Sequence, residues 1–310
     1  MAVHARLVLI VSGLNEISED FHNFPAKPVG IITVKYRASK NNLFSLNEKC
    51  KTYCQKHGLQ FASVTRSQIT DIKKYLHQWG ADLVVTHSVP ILPMHLINDL
   101  SCGAINLHHS KLPAYRGGNP LLWQVMDGVS DIGVSVHRLS ERADEGDVFA
   151  QLTFERPGAV SKGYLAKRAN KKQGLPLLKT VITNYLEGNL QAKPQTLDSP
   201  TDAANHFALE NLLGVLSQRK VSLLGLWDVA HFFVYWPEES LASTGWQSWF
   251  KWRPKKLVQQ CPRCHQGYAE SSYCFHAVGV HLHLLHADGC IVFAPKLSLQ
   301  TLLAKILLRQ

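Results

Sequence analysis

Asn106, His108 and Asp144 are the residues of this chain whose types and spacing could do chemistry together. The run Ala104-Ile105-Asn106-Leu107-His108 has the apolar and β-branched character of a strand, in which side chains two apart point to the same side. Asn106 and His108 therefore share a face, and Leu107 turns the other way into packing. An amide donor beside an imidazole suits a carbonyl that becomes a tetrahedral oxyanion, where one preorganised donor can be worth roughly 3–4 kcal/mol of barrier. Asp144 falls in a turn bounded by Gly146, shortly after the strand-like run Ile132–His137. A carboxylate brought near the imidazole would hold His108 cationic, order a water and relay the proton that an attacking amine must lose. Taken singly, each residue has a plainer use: a core histidine, an Asx-turn former and a strand-end cap.

The three belong to a longer pattern. Asn106-x-His108-x-Ser110-x-Leu112-Pro113-x-x-Arg116-Gly117-x-x-Pro120 is followed by Arg142-Ala143-Asp144-Glu145-Gly146-Asp147. The pattern resembles the signature of formyltransferases that use 10-formyltetrahydrofolate, a family that includes methionyl-tRNA formyltransferases and sugar N-formyltransferases. The resemblance implies that Asn106, His108 and Asp144 form a catalytic triad that requires no metal. It also implies that the folate donor lies against the loops Val85–Leu92 and Leu139–Asp144, held mostly by backbone. Val85, Thr86, His87, Ser88, Ile91, Leu92, Leu139 and Ala143 are the candidate donor contacts, and Ser110, Arg116 and Gly117 the candidate substrate contacts. For the side chains of His87 and His95, surface polarity is the plainer reading.

The phrase Arg142–Gln151 resembles sugar formyltransferases more than the Asp-Thr-Gly-Asp form of the tRNA enzymes. The expected acceptor is thus a small-molecule amine on a nucleotide-linked sugar, with initiator tRNA second. Two departures stand out: Lys111 replaces an apolar residue common in the family, and the first strand lacks the Gly-Thr-Pro usual in the tRNA enzymes. Two other classes compete with formyl transfer. A formyltetrahydrofolate hydrolase would share the triad, and the lack of an obvious N-terminal regulatory domain speaks against it; a non-catalytic binding protein would have no need of an intact triad.

The elements that must position these residues are legible around them. Strand-like segments at Leu7–Val11, Gly30–Val34, Gln60–Val64, Asp82–Thr86 and Ala104–His108 alternate with helical stretches, which predicts an α/β fold with a mostly parallel, helix-covered sheet. Ser45-Leu46-Asn47-Glu48 reads as a capping box opening a helix that stops near Gly58. Ile69, Ile72, Tyr75, Leu76 and Trp79 form the apolar stripe of the next helix. Ligands in open α/β sheets bind beyond the carboxyl ends of the strands, where Thr86–Pro93 and Asn106–Ser110 both fall. The basic residues Lys162, Lys167, Arg168, Lys171, Lys172 and Lys179 read as a solvated helix face broken near Gly174 and Pro176, and Asn189–Ala203 as a linker.

A Rossmann-like formyltransferase domain is accordingly expected over residues 1–200, with a smaller accessory region, open to a β-rich fold, over 201–310. The run Trp246–Lys256 interleaves aromatic and basic residues. It suits stacking on a base or sugar ring, peripheral contact with a membrane, or a tryptophan-rich core. Cys261 and Cys264 make half of a zinc-type site without a second regularly spaced pair, so they are only weak metal candidates. Val280–Leu285 and Ile291–Phe293 flank Ala287-Asp288-Gly289 in the manner of a hairpin.

Composition sets outer limits. The 310 residues are 45% hydrophobic, enough for one large or two modest domains. No apolar run is long enough to span a bilayer and no signal-like start is present, so a cytoplasmic setting is expected. Seven scattered cysteines, an odd number, fit a reducing compartment better than a disulfide framework. The net charge of +10 favours an anionic partner without choosing among folate, nucleotide, tRNA and acidic lipid.

Overall fold

The computed structural model describes residues 4–35, 42–196, 198–205, 211–233, 251–259, 274–278, 281–286 and 289–296. Trp246, Trp249, Cys261 and Cys264 lie outside the described residues. The chain divides into two units, the first comprising Met1–Pro120, Asp131–Glu155 and Ala166–Asn205, the second Leu121–Ser130, Arg156–Leu165 and His206–Gln310.

In the first unit, β1 (Arg6–Val11), β2 (Lys27–Lys35), β3 (Gln60–Thr65), β4 (Leu83–His87), β5 (Ala104–His108), β6 (Asp131–Arg138) and β7 (Val148–Glu155) form one sheet in the order β3-β2-β1-β4-β5-β6-β7. The pairings from β3 through β5 are parallel; β6 and β7 add an antiparallel edge. This is a Rossmann-like, mostly parallel sheet. From Leu7 on, every residue of β1 is buried, as is all of β4, because a parallel strand covered on both faces needs apolar residues at consecutive positions.

Helices supply the cover. After α1 (Glu16–Glu19), α2 spans Asn42–Lys56, starting before the expected capping box so that Ser45 lies inside it, and it ends just ahead of Gly58, whose φ is +65°. In α3 (Asp71–Trp79), Ile72, Leu76 and Trp79 are buried against Val8, Ile10, Ile32 and Val84. Gly80 ends α3 in the left-handed region, and Ala81 N–H reaches back to Leu76 O.

The expected helix break near Gly174 and Pro176 is a widening instead. A π turn at Arg168–Gly174 runs directly into a helix at Leu175–Leu186. Pro176 sits in the first turn of that helix, where a missing N–H costs little. The segment Asn189–Ala203 is not a free linker either. Lys193 bridges Val148, and Gln195, Thr196, Ser199, Thr201 and Ala204 bond the backbone and side chains of the loop after β5.

Among the described residues the second unit holds α4 (Pro120–Met126), which begins at the boundary, α5 (Lys162–Lys167), which ends across it, and two further helices. With the helix at Leu175–Leu186 as α6, these are α7 (Leu212–Gln218) and α8 (Leu223–Phe232). Ser222 caps α8 by accepting from Gly225 N–H, and Asp228 within it makes a buried 2.7 Å ion pair with Arg156. Beside them β8 (Lys251–Gln259), β9 (Cys274–Val278), β10 (His281–His286) and β11 (Gly289–Lys296) form an antiparallel sheet in the order β8-β11-β10-β9. The expected hairpin is there: β10 and β11 pair antiparallel from His286 opposite Gly289. Among the described residues no helix is long and apolar enough to cross a membrane, and no group of three or more His, Cys, Asp or Glu could hold a metal ion.

Candidate active site

Parallel strands deliver their carboxyl ends to one edge of the sheet, and β4 and β5 bring Thr86 and Asn106 there side by side. The Thr86 hydroxyl donates to Asn106 Oδ1 at 2.8 Å, which turns the Asn106 amide nitrogen the other way. Antiparallel β6 sets His137 opposite Asn106 and Ser135 opposite His108. His137 Nδ1 donates to the Arg138 carbonyl at 2.7 Å, leaving its Nε2 to accept from Asn106 Nδ2 at 3.0 Å. The other Asn106 N–H makes only a 3.4 Å approach to Asp144 Oδ1.

Asp144 reaches this cluster because the β6–β7 connection folds back over it. Its backbone has φ +57°, and its Oδ2 accepts the Gly117 N–H at 2.9 Å and lies 3.5 Å from His108 Nδ1. Gly146 makes the fold-back possible: a Cβ there would stand 1.9 Å from Arg138 O. His108 Nε2 donates to the Tyr115 carbonyl at 2.9 Å, so Nδ1 is the nitrogen left to exchange a proton beside Asp144.

Burial sets the electrostatics. It pushes His108 below the usual imidazole value, and nearby His137 adds to this, against the opposing pull of Asp144 and the Tyr115 carbonyl. Burial alone would raise Asp144, but His108, His137 and the Gly117 N–H outweigh it and hold the carboxyl well below the carboxylate range. The resting pair at neutral pH is thus an ionised Asp144 beside a neutral His108. That corrects the expectation of a histidine held cationic, since dehydrating the imidazole costs more than one 3.5 Å carboxylate returns.

Residues 8–181, over half the chain, match the sequence family described as formyl transferase. The chain belongs to the formyl transferase family. A methionyl-tRNA formyltransferase of Bacillus pumilus is 29% identical over 57% of this chain and 56% of its own length. One of Listeria monocytogenes is 35% identical over 40% of each. The chain thus spans about half the length of the curated relatives it matches. Among solved structures, the sugar 3N-formyl transferase WlaRD superposes with a TM-score of 0.59 over 95% of this chain and 99% of its own, at 15% identity, a likeness of fold.

Within this formyl transferase chain the other expected site residues have varied settings. Ser110 is fully buried and donates to Ala114 O at 2.6 Å, and its own carbonyl accepts from Ser135. Arg116 Nη2 holds Gln195 Oε1 and Thr196 O, both at 2.9 Å. Gly117, at φ +120°, presents its N–H to Asp144, and a Cβ there would come within 3.0 Å of the Ala204 backbone. Val85, Thr86, His87 and Leu92 are buried, Leu139 and Ala143 half-buried, and Ser88 and Ile91 exposed.

His87 corrects the surface reading: it is 3% exposed, with Nδ1 on the Leu107 carbonyl. Its ring meets His109, which joins Asn170 and through it Glu16, on the face of the sheet away from Asn106. Burial there lowers its pKa to about 4. His95 is exposed, as expected.

Two residues at the site escaped the sequence reading. His137 was seen only as the end of a strand, although its alternation with Ser135 was the available signal once β6 is paired antiparallel to β5. Gln195 lay inside the supposed linker, and nothing in its neighbourhood marked it; its amide donates to Asp144 O at 2.9 Å and Gly146 O at 2.6 Å.

Proposed function

We propose that this protein transfers a formyl group from 10-formyltetrahydrofolate to a primary amine, and that the amine is carried by a nucleotide-linked sugar. The observation that carries formyl transfer is the meeting of half-buried Asn106 and Asp144 with buried His108 at the carboxyl ends of β4 and β5. The donor has a fitting edge beside it. Ser88 and Ile91 are exposed just beyond Thr86, and half-buried Leu139 and Ala143 lead into Asp144, a largely apolar border that suits a flat ring.

The donor supplies an activated formyl carbon, whose bond to N10 breaks as the amine nitrogen bonds to it. Asn106 offers the developing oxyanion the N–H that makes only the long approach to Asp144. His108 Nδ1 takes the proton that the amine loses, the resulting imidazolium is held by Asp144, and the same nitrogen returns a proton to N10. Thr86 and His137 keep the Asn106 amide turned for this role.

The Arg142–Gln151 phrase supports an amino sugar. Initiator tRNA is the second reading, favoured by what the sequence relatives are named for, although they match only part of their own length. Following tetrahydrofolate release from 10-formyltetrahydrofolate with water alone, with dTDP- or UDP-linked amino sugars and with methionyl-tRNA tests both. Release that depends on the sugar amine is expected; equal release without any amine would make the protein a hydrolase, and release only with charged tRNA would replace the sugar.

A further inference from the structure

Asp144 stands on a connection that has no regular structure of its own, in a left-handed backbone conformation unusual for a side-chain-bearing residue. Something outside the turn must hold it. Three consecutive residues of the loop after β5 touch the site one after another: Tyr115 O accepts from His108, Arg116 holds Gln195, and Gly117 N–H holds the Asp144 carboxylate. Gln195 closes the ring from the far side. With its Oε1 on Arg116, its Nε2 is left facing Asp144 O at 2.9 Å and Gly146 O at 2.6 Å, one hydrogen for each.

We infer that Gln195 is a positioning residue, which through the carbonyls of Asp144 and Gly146 fixes the carboxylate at its distance from His108. It touches no reacting atom. The inference rests on the proposed formyl transfer for its consequence in rate, but its geometry can be tested without turnover. Among the described residues, the Asp144 carboxylate accepts one short hydrogen bond, from the Gly117 N–H at 2.9 Å, and a 3.4 Å approach from the Asn106 amide, so the turn beneath it decides where the carboxylate stands. A displacement of about 1 Å in such a group can cost on the order of 100-fold in rate.

Two substitutions in the full-length chain separate positioning from mere anchorage. Gln195→Leu removes both donors and the acceptor, while Gln195→Glu keeps an acceptor for Arg116 and removes the donors. With 10-formyltetrahydrofolate and a dTDP-linked amino sugar, kcat should fall about 10- to 100-fold in both, with the KM for the folate within about twofold. In histidine-labelled protein without ligand, NMR should show His108 of Gln195→Leu titrating at lower pH than in the parent, because the carboxylate that favours its charged form has moved off. A Glu variant with parental kcat, or a Leu variant that folds with parental kcat and His108 titration, overturns the inference. A shifted His108 titration in a protein that shows no formyl transfer at all strikes the proposed function and upholds the positioning.

Discussion

Asp144 and His108 divide the acid–base work because the same burial acts on them with opposite results. The carboxylate collects enough donors to stay ionised; the imidazole, with one carbonyl and one distant carboxylate, stays neutral. Asp144→Asn should therefore lower kcat by about 10²–10⁴ while leaving folate affinity little changed, measured by steady-state kinetics and equilibrium titration of the donor. The pH dependence follows. His108 is depressed below its ordinary 6.5, so activity that needs its neutral form should fall as pH drops through a value under 6.5. Asp144→Asn should move that limb further down, since the carboxylate opposes the depression; a limb that moved up would contradict the pairing.

His87 makes a separate statement about stability. Its folded pKa of about 4 lies under the unfolded 6.5, so the unfolded chain binds the proton more readily between these values. The stabilisation from keeping it neutral is complete above pH 6.5 and is lost as pH falls toward 4, a change of about 3 kcal/mol at most. Urea unfolding at pH 7 and pH 4.5 should show this loss, and His87→Asn should remove part of it.

At the scale of elements, the parallel core was readable because doubly covered strands must be apolar at successive positions: β1 to β5 match the expected segments to within a few residues. The antiparallel edge carried less signal about function. His137 belongs to the site only through its register with Asn106, and register between distant strands is not written in either strand alone. The strap of residues 193–204 was misread for a different reason. A polar, proline-containing stretch looks the same whether its side chains meet water or the backbone of another loop, as those of Gln195, Ser199 and Thr201 do. The β6–β7 connection offers the sharpest test at this scale. Gly146→Ala would force a Cβ into Arg138 O, so the turn must shift. A loss of about 1–3 kcal/mol in unfolding free energy is expected together with a fall in kcat; unchanged thermal unfolding and turnover would mean that the turn has slack that the structure does not show.

For the whole molecule, the acceptor is a question of how many phosphates the protein engages. Every residue of the candidate site belongs to the first unit, and the net charge of +10 attracts a nucleotide-sugar and a tRNA alike. Charge alone therefore decides nothing, but the dependence on salt does. A tRNA bound through 6–10 phosphates would lose roughly 10³-fold or more in affinity between 50 and 200 mM salt, through counterion release. An acceptor with a single diphosphate should lose only about tenfold over the same range, by the same slope per phosphate. The amino-sugar reading predicts the shallow dependence for kcat/KM with a dTDP- or UDP-linked amino sugar, together with no saturable formylation of methionyl-tRNA at either salt. A steep fall with productive tRNA formylation at low salt would transfer the acceptor site to the nucleic acid while leaving the roles of Asn106, His108 and Asp144 as they stand, because both amines present the same nucleophile to the same formyl carbon.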